Sequence, residues 1–235
     1  MGKRVAVLQS NYIPWKGYFD ILHDVDLFVF HDDLQYTKQD WRNRNRIKTP
    51  RGLEWLTIPV GPCEDRLICE VEIKDRSWAI AHWRRLRQHY SQAPCFGTYR
   101  DFLEHVYLGS TWESLSELNQ FLIRTIARDF LGIATEIQNS RQYAPAGRKQ
   151  DRLLDLLQKC GATAYVSGPA ARSYIRPERF AEAGIELIWK DYSGYPEYPQ
   201  FHPPFVHAVT ILDLLLQVGP ASPEHIWGWR KGLGP

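Results

Sequence analysis

The apolar positions of this chain fall into short continuous blocks separated by amphipathic stretches. Val5-Ala6-Val7-Leu8, within residues 3–9, reads as a strand buried on both faces, because an unbroken apolar run suits a parallel strand covered on both sides. Residues 10–14 read as a loop. Residues 15–23 then put Trp15, Tyr18, Phe19 and Leu22 on one side of a helix. Leu27-Phe28-Val29-Phe30, within residues 26–31, is a second strand, so the chain opens with a βαβ unit. Residues 53–60 read as a further strand stopping at Gly61-Pro62, and residues 70–73 are expected to pair near it.

From residue 77 to residue 132 the apolar period becomes helical. A helix is expected over 78–90 with Ser77 as its N-cap, and a second over about 99–107. Ser114-Leu115-Ser116-Glu117 has the form of a capping box. The helix behind it carries Leu115, Leu118, Leu122, Ile126 and Phe130 and stops near Gly132. This mainly helical insertion or subdomain, 77–132, sits in a single α/β domain spanning 1–235. Strands resume at 135–139, 163–167 and 184–189, with a helix over 151–159 ended by Gly161. A loop rich in Pro and Tyr, 195–204, precedes an apolar helix over about 209–218. Strands and helices alternating at both ends predict an α/β, Rossmann-like fold with a largely parallel sheet and a central helical layer.

Composition narrows the classes. With 235 residues, 44% hydrophobic and 24% charged, the chain can bury an ample core. A net charge of +2 excludes the global cationic field of most nucleic-acid binders, so any basic site must be local. Nine Trp, twelve Tyr and ten Phe are enough for some loop aromatics to stack on bases or sugars while most pack the core. Cys63, Cys69, Cys95 and Cys160 lack zinc-knuckle spacing and read as free thiols of a reducing compartment. No apolar run is long enough to span a membrane, and the N-terminus leads straight into a strand rather than a signal peptide. The expected location is cytoplasmic.

Polar chemistry concentrates just after the second strand. Asp32-Asp33-Leu34-Gln35-Tyr36 is followed by Trp41-Arg42-Asn43-Arg44-Asn45-Arg46-Ile47-Lys48. Stability does not require such density, since exposed ion pairs contribute only about 0–1 kcal/mol each. The segment suits an anionic, planar ligand: a nucleotide, a sugar phosphate or nucleic acid. It occupies a loop, 32–50, beyond the carboxyl end of a strand, where open α/β sheets bind ligands. Asp32 and Asp33 are candidate catalytic carboxylates, as base, metal ligand or hydroxyl acceptor. Alternatively one caps a turn or pairs with Arg44 or Arg46. If extended, Arg42, Arg44 and Arg46 share one face and Asn43 and Asn45 the other. The arginines can clamp phosphates, the amides bond backbone or sugar hydroxyls, and Tyr36 and Trp41 stack. A solvated charged loop is the alternative.

Three further segments are candidates. Gln9, Asn11, Tyr12, Trp15, Gly17 and Tyr18 join the first strand to the first helix, whose N-terminus favours a phosphate or carboxylate. Trp15-Lys16-Gly17-Tyr18 stands where nucleotidyltransferase-like and class I synthetase-like folds carry His-x-Gly-His; the topology resembles theirs, but both histidines are replaced, which speaks against adenylyl transfer. A plain aromatic start to a core helix is the alternative. Ser167 and Gly168, leading to Tyr174, read as a binding turn, since no nucleophile-elbow pattern surrounds Ser167. Tyr198 and Gln200, stiffened by neighbouring prolines, suit sugar recognition or a lid. Asp213, in an apolar helix, is costly to bury alone and is expected to pair with an arginine, as a structural pair or equally as part of a site. His82 and His89 are seven apart, not the four of a helical metal pair, and no metal site is expected.

Gln9-x-Asn11-Tyr12-x-Pro14-Trp15-x-Gly17-Tyr18-Phe19, Asp32-Asp33-x-Gln35-Tyr36, Trp41-Arg42-Asn43-Arg44-Asn45, Tyr165-x-Ser167-Gly168 and Tyr198-x-Gln200 with Ile211-Leu212-Asp213 together resemble the WbqC-like protein family, in order and over nearly the whole chain. The chain departs from the pattern at Ser10, where proline is usual, at His207-Ala208-Val209-Thr210, and at Gln217. The resemblance implies a bacterial protein often encoded among genes for O-antigen and other surface polysaccharides. It suggests a transferase that moves glycine or another acyl group onto a nucleotide-linked amino sugar. On that reading the arginines hold the diphosphate and Asp32 or Asp33 takes the proton of the attacking amine. The donor stays open among a thioester, an aminoacyl-tRNA and an acyl-adenylate, the last least supported, and no cofactor is assigned. A non-catalytic nucleotide- or sugar-binding protein is an alternative. An RNA-binding module is another, opposed by the near-neutral charge.

Overall fold

The computed structural model describes residues 2–62 and 65–232; the expectation for Cys63 lies outside them, and Cys69, Cys95 and Cys160 are free. The chain begins with β1 (Arg4–Leu8), α1 (Lys16–His23) and β2 (Leu27–Phe30), and β1 and β2 pair in parallel with Val5 opposite Leu27. An antiparallel hairpin of β3 (Arg44–Thr49) and β4 (Gly52–Thr57) follows. The helical layer is α2 (Ser77–Tyr90), α3 (Phe96–Glu104) and α4 (Leu115–Thr125), with α3 and α4 each running on into a π-helical turn. The chain then returns through β5 (Glu136–Asn139), α5 (Lys149–Lys159), β6 (Ala164–Ser167), α6 (Pro177–Glu182), β7 (Glu186–Trp189) and α7 (Ile211–Val218).

The five sheet strands are all parallel, in the order β5-β2-β1-β6-β7. The fold is α/β and Rossmann-like, with the strand order reversing between β1 and β6. Ligands of such sheets bind outside the carboxyl ends of the strands at that reversal. The alternation of strand side chains sorts the core into two halves. Ala6, Phe28 and Phe30 pack with α1, α7 and the helical layer, whereas Val5, Val7, Leu27 and Val29 pack with Leu154, Leu157 and Phe180 of α5 and α6.

Several expectations are corrected. The loop expected over 32–50 contains β3; the strand expected over 53–60 is present as β4 and pairs with β3 outside the five-stranded sheet. The charge density of Arg44 to Lys48 had hidden a strand whose two faces differ, and Gly52, at φ +103°, makes the tight turn that a side chain resists. The pairing expected near 70–73 goes to the residues before α4: Glu72 bridges to Ser114, and the Ile73 N–H bonds the Glu113 carbonyl at 2.7 Å. Ser77 is the first residue of α2 rather than its cap; Asp75 accepts both its N–H (2.8 Å) and its hydroxyl (2.9 Å). Ser114 does cap α4, accepting the Glu117 N–H at 3.3 Å. The short α6, which Pro177 opens, was not expected.

Candidate functional site

The loop leaving β1 is clamped from three sides. The Asp32 carboxylate accepts the Ser10 N–H at 2.7 Å, the Gln120 amide at 2.8 Å and the Ser116 hydroxyl. The Tyr12 N–H bonds the Trp41 carbonyl at 3.0 Å, and the Asn45 amide donates to the Tyr12 and Ile13 carbonyls at 3.1 and 2.8 Å. The Ile211 N–H, at the start of α7, bonds the Pro14 carbonyl at 2.9 Å. The loop, the hairpin with the residues before it, and the segment leading into α7 thereby line a cleft of about 200 Å³, at Asn11, Pro14, Trp15, Trp41, Asn45 and Ala208.

One flank of the cleft continues as an aromatic–cation wall. Trp41 and Trp55 are 41% and 39% exposed, with ring centroids 5.4 Å apart. Arg44 lies 4.2 Å over the Trp55 ring. Arg46, directly opposite Trp55 in the hairpin, lies 5.4 Å from that ring and 5.5 Å from Trp41, and donates to the Ala208 carbonyl at 3.0 Å. Neither arginine has a carboxylate partner among the described residues. Within β3 the residues alternate as an extended segment should: Arg44 and Arg46 are half-buried, Asn45 is buried. Arg42 precedes the strand and differs, bonding Asp40 and the Gln9 Oε1. Asn43 turns inward and donates to the Ile58 carbonyl at 2.9 Å.

The opposite flank is Trp15, which ends the loop at the N-cap of α1. No side chain caps that helix; the indole folds back over its first turn, where a Cβ on Gly17 would lie 2.2 Å from the ring. Tyr192 meets the indole edge-on at 5.2 Å. The next residue, Lys16, is buried beneath. Its ammonium donates to the Pro196 and His225 carbonyls at 3.3 and 3.2 Å and sits 4.7 Å over Tyr195. Burial brings it down to about 8, outweighing the opposing pull of Asp20.

The two neighbouring carboxylates have different surroundings. Asp32 is buried with both oxygens bonded. Asp33 accepts the Ser140 hydroxyl and pairs with Arg152 of α5, and its Oδ1 lies 3.7 Å from His31 Nε2. The alternative that Arg44 or Arg46 holds one of them is corrected, because those arginines are stacked on the hairpin tryptophans. Burial raises the Asp33 carboxyl, but the Ser140 bond with the His31 and Arg152 interactions leaves it below the ordinary carboxylate value. Burial lowers the His31 imidazole more than Asp33 raises it.

Other residues singled out in the sequence lie away from the cleft. The Tyr12 hydroxyl is buried between His82 Nδ1 (2.9 Å) and the Tyr107 hydroxyl (2.8 Å). Tyr18 is buried and donates to the Gln9 carbonyl at 3.0 Å. Gln35 is exposed and donates to Asp65 at 3.2 Å, and Tyr36 is buried with Arg66 5.5 Å over its ring. Ser167 is buried at the end of β6, Gly168 lies beside Tyr192, and Tyr174 is 72% exposed.

Tyr198 and Gln200 do not line the cleft but meet at Asp213. The arginine expected for Asp213 is corrected: its carboxyl accepts the Tyr198 hydroxyl at 2.6 Å, the Tyr90 hydroxyl at 2.7 Å and the Gln200 amide at 2.8 Å. Lys48 of the hairpin donates to Gln200 Oε1 at 3.0 Å. Two phenols and an amide reach a carboxylate that helix α7 holds fully buried, so no arginine is needed. The network fastens the segment that presents Ala208 to the cleft.

Trp55, Lys16 and Ala208 were missed from sequence. Trp55 had a signal in the alternation of Leu53, Trp55 and Thr57, and Ser116, Asn119 and Gln120 form a polar stripe on α4 at helical spacing. Among the described residues no group of three or more His, Cys, Asp and Glu side chains could hold a metal ion. No helix among them is long and apolar enough to cross a membrane.

A model described as the WbqC-like protein family matches residues 9–225. The uncharacterized protein Rv1507c of Mycobacterium tuberculosis is 48% identical over 227 residues, covering 95% of this chain and 97% of its own. No solved structure matches the chain.

Proposed function

The chain belongs to the WbqC-like protein family, and from that premise we propose that its cleft binds a nucleotide-linked amino sugar and that the protein transfers glycine or another acyl group to the sugar's amine. The observation that carries the binding part is the aromatic–cation wall beside the cleft. Trp41 and Trp55 offer half-exposed faces to a base, and Arg44 and Arg46 keep guanidinium edges for a diphosphate. The cleft, at about 200 Å³, is smaller than the roughly 300–1,000 Å³ of whole small-molecule sites. It therefore takes one ring of the ligand, and the remainder lies along the open face of the hairpin.

In the transfer, the sugar amine attacks the acyl carbonyl, the C–N bond forms as the donor's thiol or hydroxyl leaves, and the amine loses a proton. Asp32 positions the loop, since both its oxygens are bonded. Asp33 is bonded at both oxygens as well, by Ser140 and Arg152, and as the less buried of the two it is the carboxylate assigned to the proton, which it takes on releasing the Ser140 hydroxyl. The full bonding of both carboxylates also favours a second reading, a protein that binds the same ligand without chemistry. Incubating the chain with nucleotide-linked amino sugars and either a glycyl thioester or glycyl-tRNA separates them by mass spectrometry. A product heavier by one glycyl group supports the transferase; binding without product supports the second reading; absence of binding contradicts both.

A further inference from the structure

We propose that the outward face of α2 and the adjoining tip of the β3–β4 hairpin bind a phosphodiester chain, at a site separate from the cleft. Two grooves meet there and share Gln88. The larger, of about 510 Å³, is lined by Arg51, Arg85 and His89 above Thr49, Pro50 and Glu54. The smaller, of about 270 Å³, is lined by Arg84, Arg87 and Ser91.

The face is basic because of how α2 divides its residues. Trp78, His82, Trp83, Leu86 and Tyr90 turn into the core. From residue 80 onward that leaves Ile80, Ala81, Arg84, Arg85, Arg87, Gln88 and Ser91 exposed, and Arg84, Arg87, Gln88 and Ser91, at spacings of three, four and seven, line the smaller groove, which Ile80 does not. From Arg76 to Ser91 the sequence has no acidic residue. The one carboxylate lining either groove, Glu54, is paired with Arg85, and its other oxygen is 3.9 Å from His89. Arg51, Arg84 and Arg87 have no carboxylate partner among the described residues. The net charge of +2 is thus compatible with a concentrated local field.

The lining chemistry selects the partner. Except for Pro50 and stem carbons it is polar, whereas a protein partner needs apolar or aromatic anchors at the centre of its interface. A lipid surface needs apolar side chains that insert. A phosphodiester backbone needs neither, and guanidinium forks bond its oxygens two at a time. Residues 84–91 extend over about 10 Å of helix, at 1.5 Å per residue. That is room for about three phosphates of a stacked strand at roughly 3.4 Å each.

The test is fluorescence anisotropy of the full chain with labelled single-stranded RNA and DNA of mixed sequence. Three phosphate contacts predict about a 20-fold loss of affinity between about 50 and 200 mM salt. Arg84→Gln with Arg87→Gln should weaken binding about tenfold or more with no change in melting temperature, while Arg84→Lys with Arg87→Lys should retain most of it. Equal binding of RNA and DNA assigns recognition to the backbone, and preference for RNA adds the 2′-hydroxyl; both support the proposal. No binding at the lower salt, or binding that the double Gln variant leaves intact, overturns it. So does displacement by polyglutamate as effective as that by unlabelled RNA, which would make the face a dock for acidic protein.

Discussion

The indole of Trp15 folds so closely over Gly17 that any side chain at residue 17 meets it, a Cβ at 2.2 Å. Trp15 is one wall of the cleft, so the glycine sets where that wall stands. Gly17→Ala should push the ring outward and destabilise the chain by about 1–3 kcal/mol, the usual cost of overpacking. Thermal melting and nucleotide-sugar titration should show both effects together. Unchanged affinity would mean that Trp15 does not shape the site.

A second prediction concerns pH. Burial outweighs a backbone hydrogen bond to Thr57 and pushes the His82 ring down to about 4 from the ordinary 6.5. The unfolded chain takes up a proton near pH 6.5 that the folded chain refuses until about 4, so the stability His82 contributes is full above 6.5 and is lost as pH falls to about 4. At roughly 1.4 kcal/mol per pH unit, the loss reaches about 3 kcal/mol. His31, His89, His207 and His225 are lowered by burial too, so the informative quantity is a difference. Urea unfolding across that window should show a shallower pH dependence in His82→Gln than in the native chain. Equal slopes would contradict the assignment.

Asp213 is the common acceptor for Tyr90, Tyr198 and Gln200. Asp213→Ala leaves the buried Tyr90 and Tyr198 hydroxyls short of an acceptor, at about 1–3 kcal/mol for each that finds no other, while the half-buried Gln200 amide keeps the Val206 carbonyl at 3.1 Å. A total loss of about 3 kcal/mol or more is expected in chemical denaturation, with weaker ligand binding because the segment ending at Ala208 loses its anchor. A loss under about 1 kcal/mol would show that the network is dispensable.

Strands buried on both faces were legible from their apolar runs: β1 and β2 stand where Val5 to Leu8 and Leu27 to Phe30 predict them. The first strand of the hairpin was not, because Arg44-Asn45-Arg46 alternates arginine and amide rather than polar and apolar, and its pairing with β4 is a tertiary fact. The cleft was half legible. Asn11, Trp15, Trp41 and Asn45 do line it. Tyr12 and Tyr18 stand in the same motif but point into the core, since neighbouring loop residues face different ways and no period reveals which. Asp213 was visible as an anomaly, but its partners come from α2 and from the loop before α7, too far along the chain for spacing to connect them.

The wall of Trp41, Arg44, Arg46 and Trp55 is where a nucleotide-linked sugar is proposed to lie, and Arg44 tests it best. The residue is half-buried on the hairpin, and its cation–π contact contributes only about 0.5–1 kcal/mol to stability. Isothermal titration of nucleotide-linked amino sugars into the native chain and into Arg44→Ala should show affinity falling about tenfold or more, equivalent to about 1.4 kcal/mol, with the melting temperature nearly unchanged. No binding by the native chain, or a melting temperature that falls in step with affinity, would contradict a ligand site on this wall.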